Sequence, residues 1–315
     1  MAHLASLEDK LVVLIGGGGF VGAHVAQELL RRGARLRIAQ RHPEKAFRLK
    51  PLADLGQIQA VRCDVTDKRS VAAAMHGADA AIYLVGTFGA DQYALQAEGA
   101  GFAAEAAAAA GAGAFVYVSA ISADPLSDSG YASSKGVGEQ KVSAAFPTAT
   151  IVRPSILFGE DDSFVTTFAG AIAALPVVPV FGPDARLQPL FVDDAADAIV
   201  AALADPAQHG GKTFELAGPE VLTMDELHRR IARAQGRERV FVAVPDALSA
   251  FFAALPGTPM NSDQWKLLKH GTIASGALPG CAALGVQPRP LGLFLDRWMT
   301  RYRKRGRFGD PREAA

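Results

Sequence analysis

The stretch LVVLIGGGGFVGAHVAQELLRRG, Leu11 to Gly33, decides the fold. A short apolar run meets four consecutive glycines and then a pattern of helical spacing. Glycine has the most backbone freedom to lose on folding, so four together mark a place where side chains must be absent. Gly16, Gly19 and Gly22 form GxxGxxG at the end of a first strand, and Phe20 to Arg32 reads as an amphipathic helix that begins inside the motif. In such a turn the first glycine permits the bend, the second lets backbone approach a pyrophosphate, and the third lets helix and strand pack closely. The helix N-terminus adds oriented N–H groups, so the phosphates are expected at Gly19, Phe20 and Val21.

Outward from this stretch, apolar or β-branched runs alternate with helical segments: LVVLI, RLRIA, QIQAV, DAAIYLV, AFVYVS and TATIV. That alternation predicts an α/β protein, a Rossmann-type doubly wound parallel sheet with helices on both faces. Past IVRPSILFG the rhythm breaks into a proline cluster at Pro176, Pro179 and Pro183, and a helix opens at VDDAADAIVAAL. We expect a nucleotide-binding domain over 1–159 with 188–212, and a smaller interleaved C-terminal α/β domain over 160–187 with 213–315. The run AEAAAAAGAGAF reads as a packed helix stopped by Gly111.

The 315 residues carry 32 Lys+Arg and 32 Asp+Glu, so no global charge points to nucleic acid. Cys63 and Cys281 lie far apart in no CxxC pattern, which argues against a disulfide framework or zinc site. His3, His24, His42, His76, His209, His228 and His270 show no ligand spacing, and no metal is expected. Nothing reaches the roughly 18 continuous apolar residues that a membrane span needs. The opening MAHLASLEDK has no apolar signal core, so the expected location is cytoplasmic.

Strand two ends in RIAQRHPEK. The position that usually carries an acidic ribose partner is Gln40, followed by Arg41 with Lys45 and Arg48 nearby. A guanidinium suits a phosphate dianion, so the cofactor expectation is NADP(H), with NAD(H) the weaker alternative. The alternative for these cations is a solvated basic surface. Asp64 in RCDV is placed to accept from the adenine amino group or to cap the next helix. Val65, and Val85 with Gly86 after the fourth strand, complete the expected lining.

SGYASSKGVGEQ places Tyr131 and Lys135 four apart on one helix, so phenol and ammonium share a face. Such a lysine lowers the tyrosine pKa and leaves the phenol able to exchange a proton with a substrate oxygen. With the glycine loop, RCDV, YASSK, IVRPSILFG and LFVDDAADAIVAAL in this order, the chain resembles the short-chain dehydrogenase/reductase superfamily in its extended or atypical branches. The resemblance implies that Tyr131 and Lys135 are the catalytic pair and that Pro154, Ser155 and Ile156 wall the nicotinamide. The family's catalytic Ser or Thr falls at Ala120, leaving the flanking Ser119 and Ser122 as substitutes or as strand-end caps.

A closer resemblance, carried by KPLADLGQIQ, the FGEDDSF segment, RLQPLFVDDAADAIVAAL and LPGCAALGVQPRPL, is to the NADPH-binding accessory subunit of respiratory complex I and its bacterial relatives. It extends over nearly the whole chain. It implies a dinucleotide that is structural rather than turned over, and a partner in complex I or another membrane-associated assembly. The alternative is an active NADPH-dependent reductase, dehydratase or epimerase on a hydrophobic or quinone-pathway carbonyl. Asp193 and Asp194 are expected to cap a helix. The segment PLGLFLDRWMTRYRKRGRFG pairs Leu293, Phe294 and Trp298 with Arg297, Arg301, Arg303, Lys304, Arg305 and Arg307, and reads as solvated charge or as a helix that lies on a membrane surface or docks on a partner, which would attach the protein peripherally to the inner membrane.

Overall fold

The computed structural model describes residues 6–255, 258 and 260–304. In chain order, β1 (Leu11–Ile15) leads into α1 (Phe20–Arg31), β2 (Arg35–Gln40), β3 (Ile58–Arg62), α2 (Lys68–Met75), β4 (Ala80–Tyr83), α3 (Gly99–Ala109), β5 (Ala114–Val118), α4 (Gly130–Ala145) and β6 (Thr150–Pro154). There follow β7 (Leu157–Phe158), α5 (Phe164–Ala174), β8 (Val177–Phe181), β9 (Arg186–Leu187), β10 (Leu190–Phe191), α6 (Val192–Ala204), α7 (Pro206–His209) and β11 (Thr213–Leu216). The chain closes with β12 (Leu222–Thr223), α8 (Met224–Ala234), β13 (Val240–Val244), α9 (Asp246–Ala254), α10 (Ser262–His270) and α11 (Gly292–Trp298).

Seven strands form one parallel sheet in the order β3-β2-β1-β4-β5-β6-β11. The order reverses between β1 and β4, the point where open α/β sheets bind ligands at their carboxyl ends. Val12, Val13, Leu14 and Ile15 are all buried because both faces of the sheet are covered. In α1 the buried Gly22, Val25, Ala26 and Leu29 follow helical spacing, and this stripe packs on α6. On the opposite face, the alanines of α3 let that helix lie close to the sheet and to α4. Gly111, at φ +74°, follows its end.

A π-helical turn over Ala94–Glu98 feeds α3. The buried phenol of Tyr83 donates to the Leu95 carbonyl, and that of Tyr117 donates to the Gln96 carbonyl at 2.9 Å. Gly138 on α4 leaves the notch that the Tyr117 hydroxyl fills, since a Cβ there would collide with it and with the Gln96 carbonyl.

The contacts divide the chain into two compact units. Among the described residues the first takes the chain up to Pro154, Val192–Leu216 and Ser275–Gln287, and the second takes the rest. These limits differ from the expected 1–159 with 188–212 and 160–187 with 213–315. TFEL, expected in the smaller domain, is β11 and pairs with β6 at the sheet edge. There Glu215 accepts from the Ser275 amide at 2.7 Å and its hydroxyl at 2.9 Å, which ties 275–287 to the sheet unit.

In the second unit, β8 and β13 pair in parallel, and α8 carries a Thr223–Glu226 capping box. The face of α11 expected to dock through Leu293, Phe294 and Trp298 is largely covered within this unit. Phe294 stacks on Phe191 at 4.1 Å and on Trp298 at 4.9 Å, while Leu291, Leu295 and Trp298 are buried. Only Leu293 of the named apolar trio is fully exposed, at 65 %. Arg301 donates to the Glu160 carbonyl and Arg303 to the Ala234 carbonyl, so part of the basic run serves this unit's own fold. His3, Arg305 and Arg307 lie outside the described residues. Among the described residues no helix is long and apolar enough to cross a membrane, and no group of His, Cys, Asp or Glu could hold a metal ion.

Candidate functional site

Gly16 leaves β1 at φ +81°, a conformation that suits glycine. A Cβ on Gly22 would lie 2.5 Å from the Gly17 carbonyl oxygen and 2.6 Å from its Cα, so the third glycine is what lets α1 start against the loop. Gly19 is the N-cap of the twelve-residue α1 and offers no side-chain cap, and no acidic residue occupies the first turn. The helix therefore begins at Phe20, Val21 and Gly22 with amide donors and dipole uncompensated by side chains. Gly16 also faces the end of β4, where its Cβ would meet Val85 at 3.2 Å.

Gln40 turns inward. Its Oε1 accepts from the Gly18 amide at 2.8 Å, and its Nε2 donates to the His42 carbonyl at 2.7 Å. The position where an acidic side chain would meet ribose hydroxyls instead holds a neutral amide locked to the loop. Arg48 reaches the same loop and donates to the Gly18 and Gly19 carbonyls at 3.2 and 3.1 Å. The sequence marked Arg48 only as a nearby cation. Arg41 is exposed and close enough to Asp64 to favour its ionised form.

Asp64 has a local task. Its Oδ1 accepts from the Thr66 amide at 3.0 Å and the Thr66 hydroxyl at 2.8 Å, and these bonds hold its pKa below the usual carboxylate value. The helix cap that Asp64 was a candidate for is Asp67, which accepts from the Arg69 amide. Val65 is buried beside it, and Gly86 lies exposed past β4.

Ser129 caps α4, and the helix brings Tyr131 and Lys135 to one face. Lys135 is 2 % exposed and donates to the Val118 carbonyl at 2.8 Å and the Val85 carbonyl at 3.0 Å. Burial pulls its ammonium from the ordinary 10.5 down to about 7, with Glu139 pulling it back up. The Tyr131 ring stacks on Phe88 at 4.3 Å. Ala120 is buried at the expected hydroxyl position.

Ser119, the substitute, is 2 % exposed and donates to Glu139 at 2.5 Å. Glu139 also receives a two-pronged bond from Arg153, at 2.8 and 2.6 Å. Ser119 is thus bonded behind the strand end, and Ser122 lies half-buried in the turn beyond. Sequence reading missed Glu139 and Arg153, although 131, 135 and 139 repeat at helical spacing. Pro154 ends β6 and accepts from the Ile121 amide, within the first unit. Ser155 and Ile156 open the second unit, where Ser155 donates to the Gln188 carbonyl and the Ile156 carbonyl accepts from Leu190.

A parallel sheet with an uncapped helix N-terminus at its switch point, behind a glycine loop, defines a dinucleotide-binding Rossmann protein. A family model described as NAD(P)H-binding matches residues 16–172. The chain is 31 % identical over 315 residues to the mouse NADH dehydrogenase (ubiquinone) 1 alpha subcomplex subunit 9, with 95 % of this chain and 82 % of that protein covered. The subunit of the same name from Dictyostelium discoideum is 32 % identical over 219 residues, which span 69 % of this chain and 61 % of that relative. A ceramide reductase from Caulobacter vibrioides is 32 % identical over 261 residues, covering 79 % of this chain and 80 % of it. An NADPH-dependent quinone oxidoreductase from Escherichia coli superposes with a TM-score of 0.72 at 19 % identity, over 91 % of this chain and 98 % of its own, which places the fold. The chain belongs to the NAD(P)H-binding family that holds the complex I subunit 9 proteins.

Proposed function

We propose that this chain holds NADP(H) as a structural group and serves as an accessory or assembly protein of a respiratory complex at the cytoplasmic side of the inner membrane. The observation that carries the reading is the end of β5. Ala120 has no hydroxyl, and the hydroxyl of Ser119 is committed to Glu139. A phenol without that neighbour orients and stabilises a developing oxyanion poorly. The residues fit the group: the uncapped start of α1 takes the phosphates, and Lys135 lies at the ends of β4 and β5. Arg41, with Lys45 and Arg48 nearby, favours the 2′-phosphate, whereas Gln40 gives NAD(H) no carboxylate. The subunit 9 relatives support the assembly.

Titration with both nucleotides tests this, followed by incubation with NADPH and a panel of carbonyls and quinones. The expected result is an about ten- to hundredfold preference for NADPH, mostly erased in Arg41→Ala, as charge-assisted bonds of roughly 1.5–3 kcal/mol require. Turnover should be negligible. Equal affinities overturn the NADP(H) reading, and fast, Tyr131-dependent oxidation overturns the structural role. In that event the second reading stands, an NADPH-dependent reductase of a hydrophobic carbonyl. The intact Tyr131–Lys135 face and the ceramide reductase relative favour it. The dinucleotide would supply hydride, and Tyr131 would pass the proton to the carbonyl oxygen.

A further inference from the structure

Side chains from three successive elements meet at Glu139, one helical turn beyond Lys135. Ser119 comes from the end of β5, Glu139 from one turn further along α4, and Arg153 from β6. Glu139 is 8 % exposed, accepts from all three donor atoms, and lies on the helix face of Tyr131 and Lys135. Its carboxylate is thereby held in place, because the two-pronged guanidinium engages both oxygens. Lys135 itself has two carbonyl acceptors and no counter-ion within bonding distance among the described contacts. A buried ammonium in that position needs a nearby negative charge to stay charged.

We propose that Glu139 is a positioning residue for the dinucleotide site: clamped by Ser119 and Arg153, it supplies the negative charge that keeps the buried Lys135 ammonium protonated and available to the nucleotide. The inference rests on the NADP(H) reading for its effect on binding, though not for its effect on Lys135. The other groups that bear on Lys135 do not replace Glu139. Tyr131 on α4, Tyr117 on β5 and Tyr83 on β4 are phenols, and burial raises the latter two further. Asp124 and Glu215 bear on Arg153. Glu98 pairs with Lys141 instead.

The test uses the full chain and its Glu139→Gln variant. Because Glu139→Gln strands the Arg153 guanidinium, Glu139→Gln with Arg153→Gln is made alongside it. In nucleotide-free protein the Lys135 Cε resonance, assigned by Lys135→Met, is followed from pH 5 to 9. NADPH affinity is measured over the same range. Both variants should titrate Lys135 at lower pH than the parent, Glu139→Gln by about one pH unit and the double variant by less because it also removes the Arg153 charge, and both should bind NADPH like the parent near pH 5.5 but more weakly at pH 8, by about tenfold for Glu139→Gln. An unmoved Lys135 midpoint, or an affinity loss equal at every pH, overturns the proposal and leaves Glu139 a purely structural anchor. If the parent binds neither nucleotide, the NADP(H) reading fails while the Lys135 midpoint still decides the role of Glu139.

Discussion

Lys135 shows how one buried side chain makes folding depend on pH. Its ammonium is held near 7 by burial and would return to 10.5 in the unfolded chain. Between those values the unfolded state binds more protons than the folded one, so this group's contribution to stability rises as pH climbs through the window. Below about 7 both states are protonated and the contribution is flat. Lys135→Met should therefore flatten part of the rise in stability between pH 7 and 9, which denaturant titrations of both proteins at the two pH values would detect. Parallel pH profiles for parent and variant would contradict the assignment. The pairing of Tyr131 with Lys135 was legible because a helix is read along one chain. The Ser119–Glu139–Arg153 cluster was not, because its members meet only once β5, α4 and β6 are assembled.

At the scale of elements, the junction of β1 and α1 leaves no room for a side chain at Gly22. A methyl on Gly22 meets backbone atoms of Gly17, which cannot rotate away as a side chain would. Gly22→Ala should lower stability by about 1–3 kcal/mol through overpacking and push the helix start off the phosphates. Thermal melting and NADPH titration together check it, and an unchanged melt with parental affinity would refute the packing argument. α11 makes the opposite point. Its apolar residues read equally well as a membrane-facing stripe, since a hydrophobic face does not say what covers it. The structure covers Phe294 and Trp298 with Phe158 and Phe191. Trp298→Ala should cost about 3–5 kcal/mol, read as a lowered melting temperature, rather than release a membrane-bound protein. β11 escaped its expected domain for a related reason, because four residues of strand pattern carry no record of which sheet edge they will join.

For the whole molecule, the parallel sheet, the glycine loop and the family were legible from the alternation of strands and helices and from motifs in a fixed order. The unit boundaries were less so, since the chain returns to the first unit twice, through α6 and β11 and again at Ser275–Gln287. The central claim is that a dinucleotide belongs to the folded protein as a part. A ligand bound only to the native state stabilises it by mass action, so a tightly held nucleotide should survive purification. The most direct measurement is to purify the full chain by native methods without added nucleotide, denature it, and identify and quantify what is released by mass spectrometry. The account predicts NADP(H) in near one-to-one ratio with the chain. Protein that releases no dinucleotide, or releases NAD(H) in its place, would contradict it.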